Sequence, residues 1–261
     1  MARRATLSVF EGVNMDKTCV ITGASGGVGR ALALRLADAG WRLALVSRDA
    51  ARLEGLPGAP IAADVSTPEG AAQALQAAGV ALGAPPGHLA HCAGNTLIAP
   101  IARTREAQYR EVMAANLDSA FFTLQAWLGA LAAAKQPGAA VVFSSVVAGI
   151  GVANHAAIAA AKGGIEALVR SLAADVSAGG IRINAIAPGL MRSPMTERLV
   201  ANEAAAKQVA AQYPLGRHGD AAVDGAAAAA WLLSDESGWI TGQVLGLDGG
   251  FSAVRPFVKV G

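Results

Sequence analysis

The sequence predicts a single-domain α/β fold: a doubly wound, parallel seven-stranded sheet with helices on both faces. Three observations predict it. Short apolar or β-branched runs alternate with longer alanine- and leucine-rich stretches of helical period, the order expected of parallel strands linked by helices. A glycine-rich turn, Thr22-Gly23-Ala24-Ser25-Gly26-Gly27-Val28-Gly29, joins the first such run directly to the first helical pattern. The 261 residues, 53% of them hydrophobic with a positive mean hydropathy, suffice for a large core yet stay within the size of one domain.

Residues 1–14 place Arg3-Arg4 before the apolar stretch Ala5 to Phe10, which is shorter than a secretory core and is followed by Glu11. They read as an N-terminal extension to a domain over 15–261. The apolar run at 17–22 is the first strand, and the glycine turn leads from it into a helix over 28–39. Runs at 42–47 and 59–63 are the next two strands, followed by a periodic helical segment, 68–78, and a fourth strand at 87–92. The periodicity of 102–134 predicts one long helix before the apolar strand 139–145. A helix over 155–178 returns the chain to a strand at 181–186. Residues 191–213 follow a Pro-Gly turn and are long for a plain connection, which marks a lid over a site. A helix over 220–233 and a strand at 243–247 complete the sheet, and no repeat or Pro/Gly/Ser-rich linker divides the chain.

A net charge of +2, a pI near 8.7 and a single basic pair, Arg3-Arg4, argue against nucleic acid and favour small-molecule chemistry. Cys19 and Cys92 both fall in apolar strand runs, which gives a disulfide framework or metal site almost nothing to build on and suits a reducing cytoplasm. Asp224 breaks the alanine-rich 221–233, and no membrane partner is expected.

Glycines directly after a strand permit a tight turn and let backbone N–H groups approach a pyrophosphate, while the following helix start supplies partial positive charge. Thr22, Gly23, Ser25, Gly27, Val28 and Gly29 are therefore candidate cofactor-binding residues. About twenty residues further on, folds that bind a free ribose usually carry an acidic side chain. Here stand Ser47-Arg48, and a hydroxyl beside a guanidinium fork suits a 2′-phosphate, which favours NADP over NAD. Asp49 is expected to offset part of the Arg48 charge.

From about residue 16 to 251 the chain resembles the short-chain dehydrogenase/reductase family, particularly its 3-oxoacyl-carrier-protein reductase branch. Thr22 to Gly29 matches the family's TGxxxGxG loop, and Asp64-Val65 matches the pair whose acid holds the adenine. Asn116 matches the active-site helix asparagine, Ser145 in Phe143-Ser144-Ser145-Val146 the catalytic serine, and Lys162 the lysine that binds the nicotinamide ribose. Pro188-Gly189 matches the turn beside the nicotinamide, Ser193 stands where a threonine usually holds the carboxamide, and Asp248-Gly249-Gly250 matches a C-terminal signature. The resemblance implies a Rossmann fold, catalytic roles for Asn116, Ser145 and Lys162, and further cofactor contacts at Ala93 and Gly94.

Two departures stand out. His91-Cys92-Ala93-Gly94 replaces the family's NNAG, and His91 reads as a structural residue at a strand end. Four residues before Lys162, where the family places its tyrosine, stands Ile158; Tyr109 and Tyr213, the chain's two tyrosines, lie elsewhere and read as packing residues. Losing a general acid typically costs about 10²–10⁴-fold in rate. His155, three residues before Ile158 and seven before Lys162, shares a helical face with both and is a candidate substitute donor. Related enoyl reductases carry their tyrosine at that spacing, while the plainer reading is that His155 helps Asn154 begin the helix.

The expected function is an NADP(H)-dependent oxidoreductase acting on a carbonyl/alcohol or activated enoyl substrate with a substituted proton donor. The alternative is a catalytically silent nicotinamide-binding protein serving as a partner subunit or regulator. A methyltransferase explains neither Lys162 nor Asp248-Gly249-Gly250. The helices at 102–134 and 155–178 resemble those that family members pair across two-fold interfaces, so a homotetramer is expected, with a dimer as the alternative.

Overall fold

Every residue of β1 (Thr18–Thr22) is buried, a pattern that a strand shows when both faces of its sheet are covered. The computed structural model describes residues 16–255, so the extension 1–14 lies outside the described residues. β1 pairs in parallel with β2 (Arg42–Ser47) on one side and β4 (His88–His91) on the other. β3 (Ala59–Ala62) extends the sheet beyond β2; β5 (Gly138–Phe143) and β6 (Ile181–Pro188) extend it beyond β4. β7 (Met191–Arg192) and β8 (Gly219–Asp220) form a separate short ladder, and β9 (Val244–Leu247) closes the main sheet in the order β3-β2-β1-β4-β5-β6-β9. The strand order reverses direction between β1 and β4, and there the connections leave for opposite faces and open a crevice at the carboxyl ends.

The helices are α1 (Gly27–Asp38), α2 (Pro68–Leu82), α3 (Glu106–Met113), α4 (Ser119–Ala134), α5 (Ala156–Val176), α6 (Glu203–Ala210) and α7 (Ala226–Leu233). Leu75, Leu124, Trp127 and Ile165 from α2, α4 and α5 pack one face of the sheet. Leu32, Leu36, Leu232 and Leu233 from α1 and α7 pack the other. Both faces are thus dry, which is why the strands read as continuous apolar runs.

The long segment 102–134 differs in detail from its sequence reading. Ile101–Arg103 is a separate 3-10 turn, and helix begins at Glu106, after an exposed turn that the periodicity did not distinguish. A π-turn, Ala114–Asp118, joins α3 to α4 into one helix, Glu106–Ala134, of 29 residues. On length and composition that helix could cross a membrane, but Leu124, Trp127 and Leu131 are fully buried in the core and the Trp127 ring N–H donates to the Pro86 carbonyl at 2.8 Å. The lid, 191–213, contains β7 and α6. The sequence reading missed α6, although Asn202 caps it by accepting the Ala205 N–H at 2.9 Å.

Candidate active site

α1 begins at the tip of the glycine turn, and its start is bare: Gly26 offers no side-chain cap, and the first turn holds no acidic residue. Its first N–H groups, at Gly27 and Val28, are free to receive an anion. The glycines are required by contact. Gly23 has φ 64°, and a Cβ there would stand 2.6 Å from the Ala93 nitrogen, so Ala93 crosses directly over the turn. A Cβ on Gly29 would overlap the Gly23 carbonyl oxygen, and one on Gly27 would stand 2.8 Å from the Ser193 Cβ, so the lid rests on the glycine turn. Val28 lies against Gly225. Thr22 is fully buried with its hydroxyl turned to His91, so it anchors the turn and its side chain does not face a ligand.

At the other end of the nucleotide crevice the Ser25 and Ser47 hydroxyls lie 3.2 Å apart, with Arg48 exposed beside them. Asp49 turns to the backbone. Its carboxylate accepts the Ala51 N–H at 3.0 Å and caps a short turn, Ala50–Leu53. Arg48 acts instead on Asp64, whose carboxyl is held below its usual range, first by the Ser66 hydroxyl at 2.7 Å and N–H at 3.0 Å, with the Arg48 charge adding. Val65 belongs to the core, which leaves its main chain for a ligand.

The carboxyl ends of β4 and β5 and the π-turn build the chemical end. Asn116 is fully buried; its Nδ2 donates to Asn95 Oδ1 and to the Val112 carbonyl, each at 2.8 Å. Both amide hydrogens are used, and Asn116 Oδ1 is a buried acceptor with no partner in the described chain. A Cβ on Gly94 would stand 2.7 Å from that oxygen and 3.5 Å from Lys162 Nζ, so both atoms lie on the same side of Gly94. Lys162 donates to the Phe143 carbonyl at 2.8 Å, and burial brings its ammonium down to a pKa of about 8. Cys92 stands near, its thiol pushed up to about 12 by burial. Ser145 has extended backbone and caps a short turn, its Oγ accepting the Val147 N–H at 3.4 Å. Its own O–H remains available to donate.

His91 has the structural role read from its strand-end position. Ser119 Oγ donates to the Ala115 carbonyl at 2.8 Å, so it must accept from His91 Nε2 at 3.1 Å, and the Thr22 hydroxyl in turn donates to Nδ1 at 2.9 Å. Burial and the nearby Lys162 charge hold this ring neutral down to about pH 3. The histidine thus connects the cofactor turn, through the sheet, to the π-turn that carries Asn116.

Ile158 is buried among Val112, Ala161, Leu97, Met113 and Val147, an apolar cluster at the start of α5. His155 lies one turn earlier, half-buried, without capping the helix. Its Nδ1 must carry hydrogen, because its partner at 2.7 Å is the Ala153 carbonyl. It lines a cleft of about 460 Å³ with Ile101, Val147, Ile150 and Val152. Pro188 and Gly189 end β6 beneath the lid. Ser193 shares a 3.0 Å hydroxyl contact with Thr196, which also bonds the Met191 carbonyl, so the lid start is tied to itself. Sequence reasoning missed three contributors: Asn95, adjacent to the Ala93-Gly94 pair; Phe143, through its carbonyl; and Tyr213, whose hydroxyl accepts the Leu190 N–H at 2.7 Å and whose ring fills the space beside Gly189.

The bare α1 start, the unpartnered Asn116 oxygen and the side-chain-free crossing of Ala93 at Gly23 fit a dinucleotide. Residues 23–252 match the family described as Enoyl-(Acyl carrier protein) reductase. An uncharacterized oxidoreductase of Mycobacterium tuberculosis is 37% identical over 250 residues, covering 91% of this chain and 92% of that protein. Mouse (3R)-3-hydroxyacyl-CoA dehydrogenase is 32% identical over 247 residues, covering 88% and 94%. A solved structure from Agrobacterium tumefaciens, described as a 2-deoxy-D-gluconate 3-dehydrogenase with bound NADP, superposes with TM-score 0.83 at 31% identity, covering 92% of this chain and 98% of that one. With the strand order, the glycine turn and the Asn116–Ser145–Lys162 set already in place, these likenesses establish that the chain belongs to the short-chain dehydrogenase/reductase family of NAD(P)-dependent oxidoreductases.

Proposed function

We propose that the protein is an NADP(H)-dependent oxidoreductase acting on a carbonyl/alcohol or activated enoyl substrate, with a proton donor other than tyrosine. One observation carries this reading: Lys162 Nζ and the unpartnered Asn116 Oδ1 lie together on one side of Gly94, at the carboxyl ends of the strands where α1 also has its bare start. A bound nicotinamide dinucleotide supplies hydride chemistry. The chain's own residues do the rest. Gly27 and Val28 N–H groups hold the pyrophosphate, with Gly23 and Gly29 shaping the turn. Ser25, Ser47 and Arg48 meet a 2′-phosphate, and Asp64 and Val65 border the adenine. Lys162 holds the ribose at the nicotinamide end, where Ala93, Gly94, Pro188, Gly189 and Ser193 enclose it. Ser145 donates its free hydroxyl to the substrate oxygen.

The preference for the phosphorylated cofactor is supported by Arg48 and by the NADP in the Agrobacterium relative. The free thiols Cys19 and Cys92 are in keeping with a reducing cytoplasm, and the exposed Phe121 on α4 with a homotetramer, which sedimentation tests. The reading itself is tested by titrating the protein with NADPH and NADH and following nicotinamide absorbance against ketones, quinones and enoyl thioesters. Saturable NADPH binding with turnover of at least one class is expected. Binding without turnover on any class overturns the catalytic reading in favour of a silent subunit, and absence of binding overturns the cofactor reading.

A further inference from the structure

Resting on that reading, we propose that Lys162 is itself the proton donor, its ammonium protonating the substrate oxygen where other family members use tyrosine. The crevice excludes its other candidates. Ile158 is 3% exposed and enclosed by apolar side chains, so that position carries no acid. The Cys92 thiol keeps its proton. His91 has both ring nitrogens engaged between Thr22 and Ser119. Ser145 has no ionisable partner to receive or return a proton, its bond being to the Val147 N–H. Glu166, one turn beyond Lys162 on α5, is engaged elsewhere: it accepts the Ser144 hydroxyl at 2.8 Å and faces Arg170 at 4.0 Å. His155 gives its Nδ1 hydrogen to the Ala153 carbonyl and lines the outer cleft.

Lys162 is placed for the task. An ammonium has three hydrogens, and the Phe143 carbonyl takes one. Nζ stands 3.5 Å from where a Cβ on Gly94 would lie, on the same side as the Asn116 oxygen that has no partner. The ionisable neighbours at the end of β4 are His91 and, just past it, Cys92, both neutral; the end of β5 presents the Phe143 carbonyl and the π-turn Asn116; and among the described residues no carboxylate bonds the ammonium. Burial without a counter-ion makes the proton easy to release near neutral pH, at about 8. In ketone reduction the carbonyl carbon receives a hydride from the reduced nicotinamide, which is oxidised. The π pair of the C=O bond takes a proton from Nζ to form the alcohol O–H, the ammonium becomes an amine, and water reprotonates it.

The test uses the full chain with saturating NADPH and its best ketone, recording single-turnover rates from about pH 6 to about 10. Reduction is expected to fall about tenfold per pH unit above about 8, and oxidation of the product alcohol to rise through the same pH. Lys162→Arg keeps the charge but holds its proton; at NADPH concentrations that saturate the variant, it is expected to lose at least about 100-fold in the single-turnover rate. Carbon NMR of lysine-labelled wild-type protein is expected to show one lysine titrating near 8, missing in Lys162→Arg, and needs no turnover. Turnover with a flat profile, an active Lys162→Arg, or no lysine titrating below the ordinary range overturns the proposal alone. A rate lost in His155→Ala and kept in Lys162→Arg assigns the proton to His155 and likewise overturns it. NADPH binding with no turnover overturns it together with catalysis, and failure to bind NADPH overturns the underlying reading.

Discussion

His91 and Thr22 share a 2.9 Å hydrogen bond that ties the last residue of β4 to the last of β1, and the other ring nitrogen carries the tie to Ser119 at 3.1 Å. His91→Ala strands the buried Thr22 hydroxyl, takes one of its partners from Ser119 and opens a cavity, and it is expected to destabilise the fold by about 3 kcal/mol in urea unfolding. NADPH affinity should weaken as well, since the same bond anchors the glycine turn. A variant with unchanged midpoint and affinity would remove the tie from the account.

The pH dependence of stability follows from the same ring. Burial lowers the pKa of His91 from 6.5 to about 3 and that of His88 to about 4, whereas the unfolded chain takes up protons through the ordinary value. The unfolded state therefore binds more protons between these limits, so the contribution is complete above about 6.5 and is lost as pH falls toward 4 and below. Thermal melts across that range should show a falling acid limb, shallower in His91→Asn. An identical limb in that variant would contradict neutral burial of the ring.

Gly29 tolerates no Cβ, because one would meet the Gly23 carbonyl at the first turn of α1. Gly29→Ala should cost about 1–3 kcal/mol in chemical denaturation and displace the N–H groups that face the pyrophosphate. Calorimetric titration checks the second effect, and wild-type affinity would show that the turn does not hold the nucleotide.

Ile158→Tyr returns a phenol to α5 close to Lys162 and is expected to raise ketone reduction by about 10²–10⁴-fold. The larger ring must displace Met113, Leu97 or Val147, so stability should fall by about 1–3 kcal/mol. Rates from nicotinamide absorbance and melting curves read the two effects separately. Unchanged rates with NADPH binding intact would mean that the apolar cluster has rebuilt the pocket.

Arg48→Ala should weaken NADPH by about tenfold or more and leave NADH nearly unchanged, because a charge-assisted bond to a phosphate contributes about 1.5–3 kcal/mol. Fluorescence titration with both cofactors decides it. Equal loss for both would place Arg48 outside the 2′-phosphate site.

The sheet was legible because its strands are covered on both faces, so Cys19-Val20-Ile21 and Ala139 to Val142 announce themselves as unbroken apolar runs. The glycine turn was legible because backbone contact at Gly23 and Gly29 admits no side chain. Less visible were features made by partners distant in sequence. Nothing local in His91 points to Ser119, and the role of Tyr213 depends on Leu190 and Gly189. Asp49 shows a local competition instead: a backbone N–H, at Ala51, takes its carboxylate. The π-turn at Ala114–Asp118 leaves the apolar period almost unbroken, and so the sequence reading merged α3 and α4 without it.

Ser193 sits directly over Gly27, so the lid and the helix start share one surface. On the proposed reading a diphosphate seated at the start of α1 would share that surface with Ser193, and the segment is expected to lift as the dinucleotide enters. Admission is then gated: observed association rates should level off at high NADPH at the opening rate of the segment, and the smaller reactant should bind second, to a chamber that the larger one has finished.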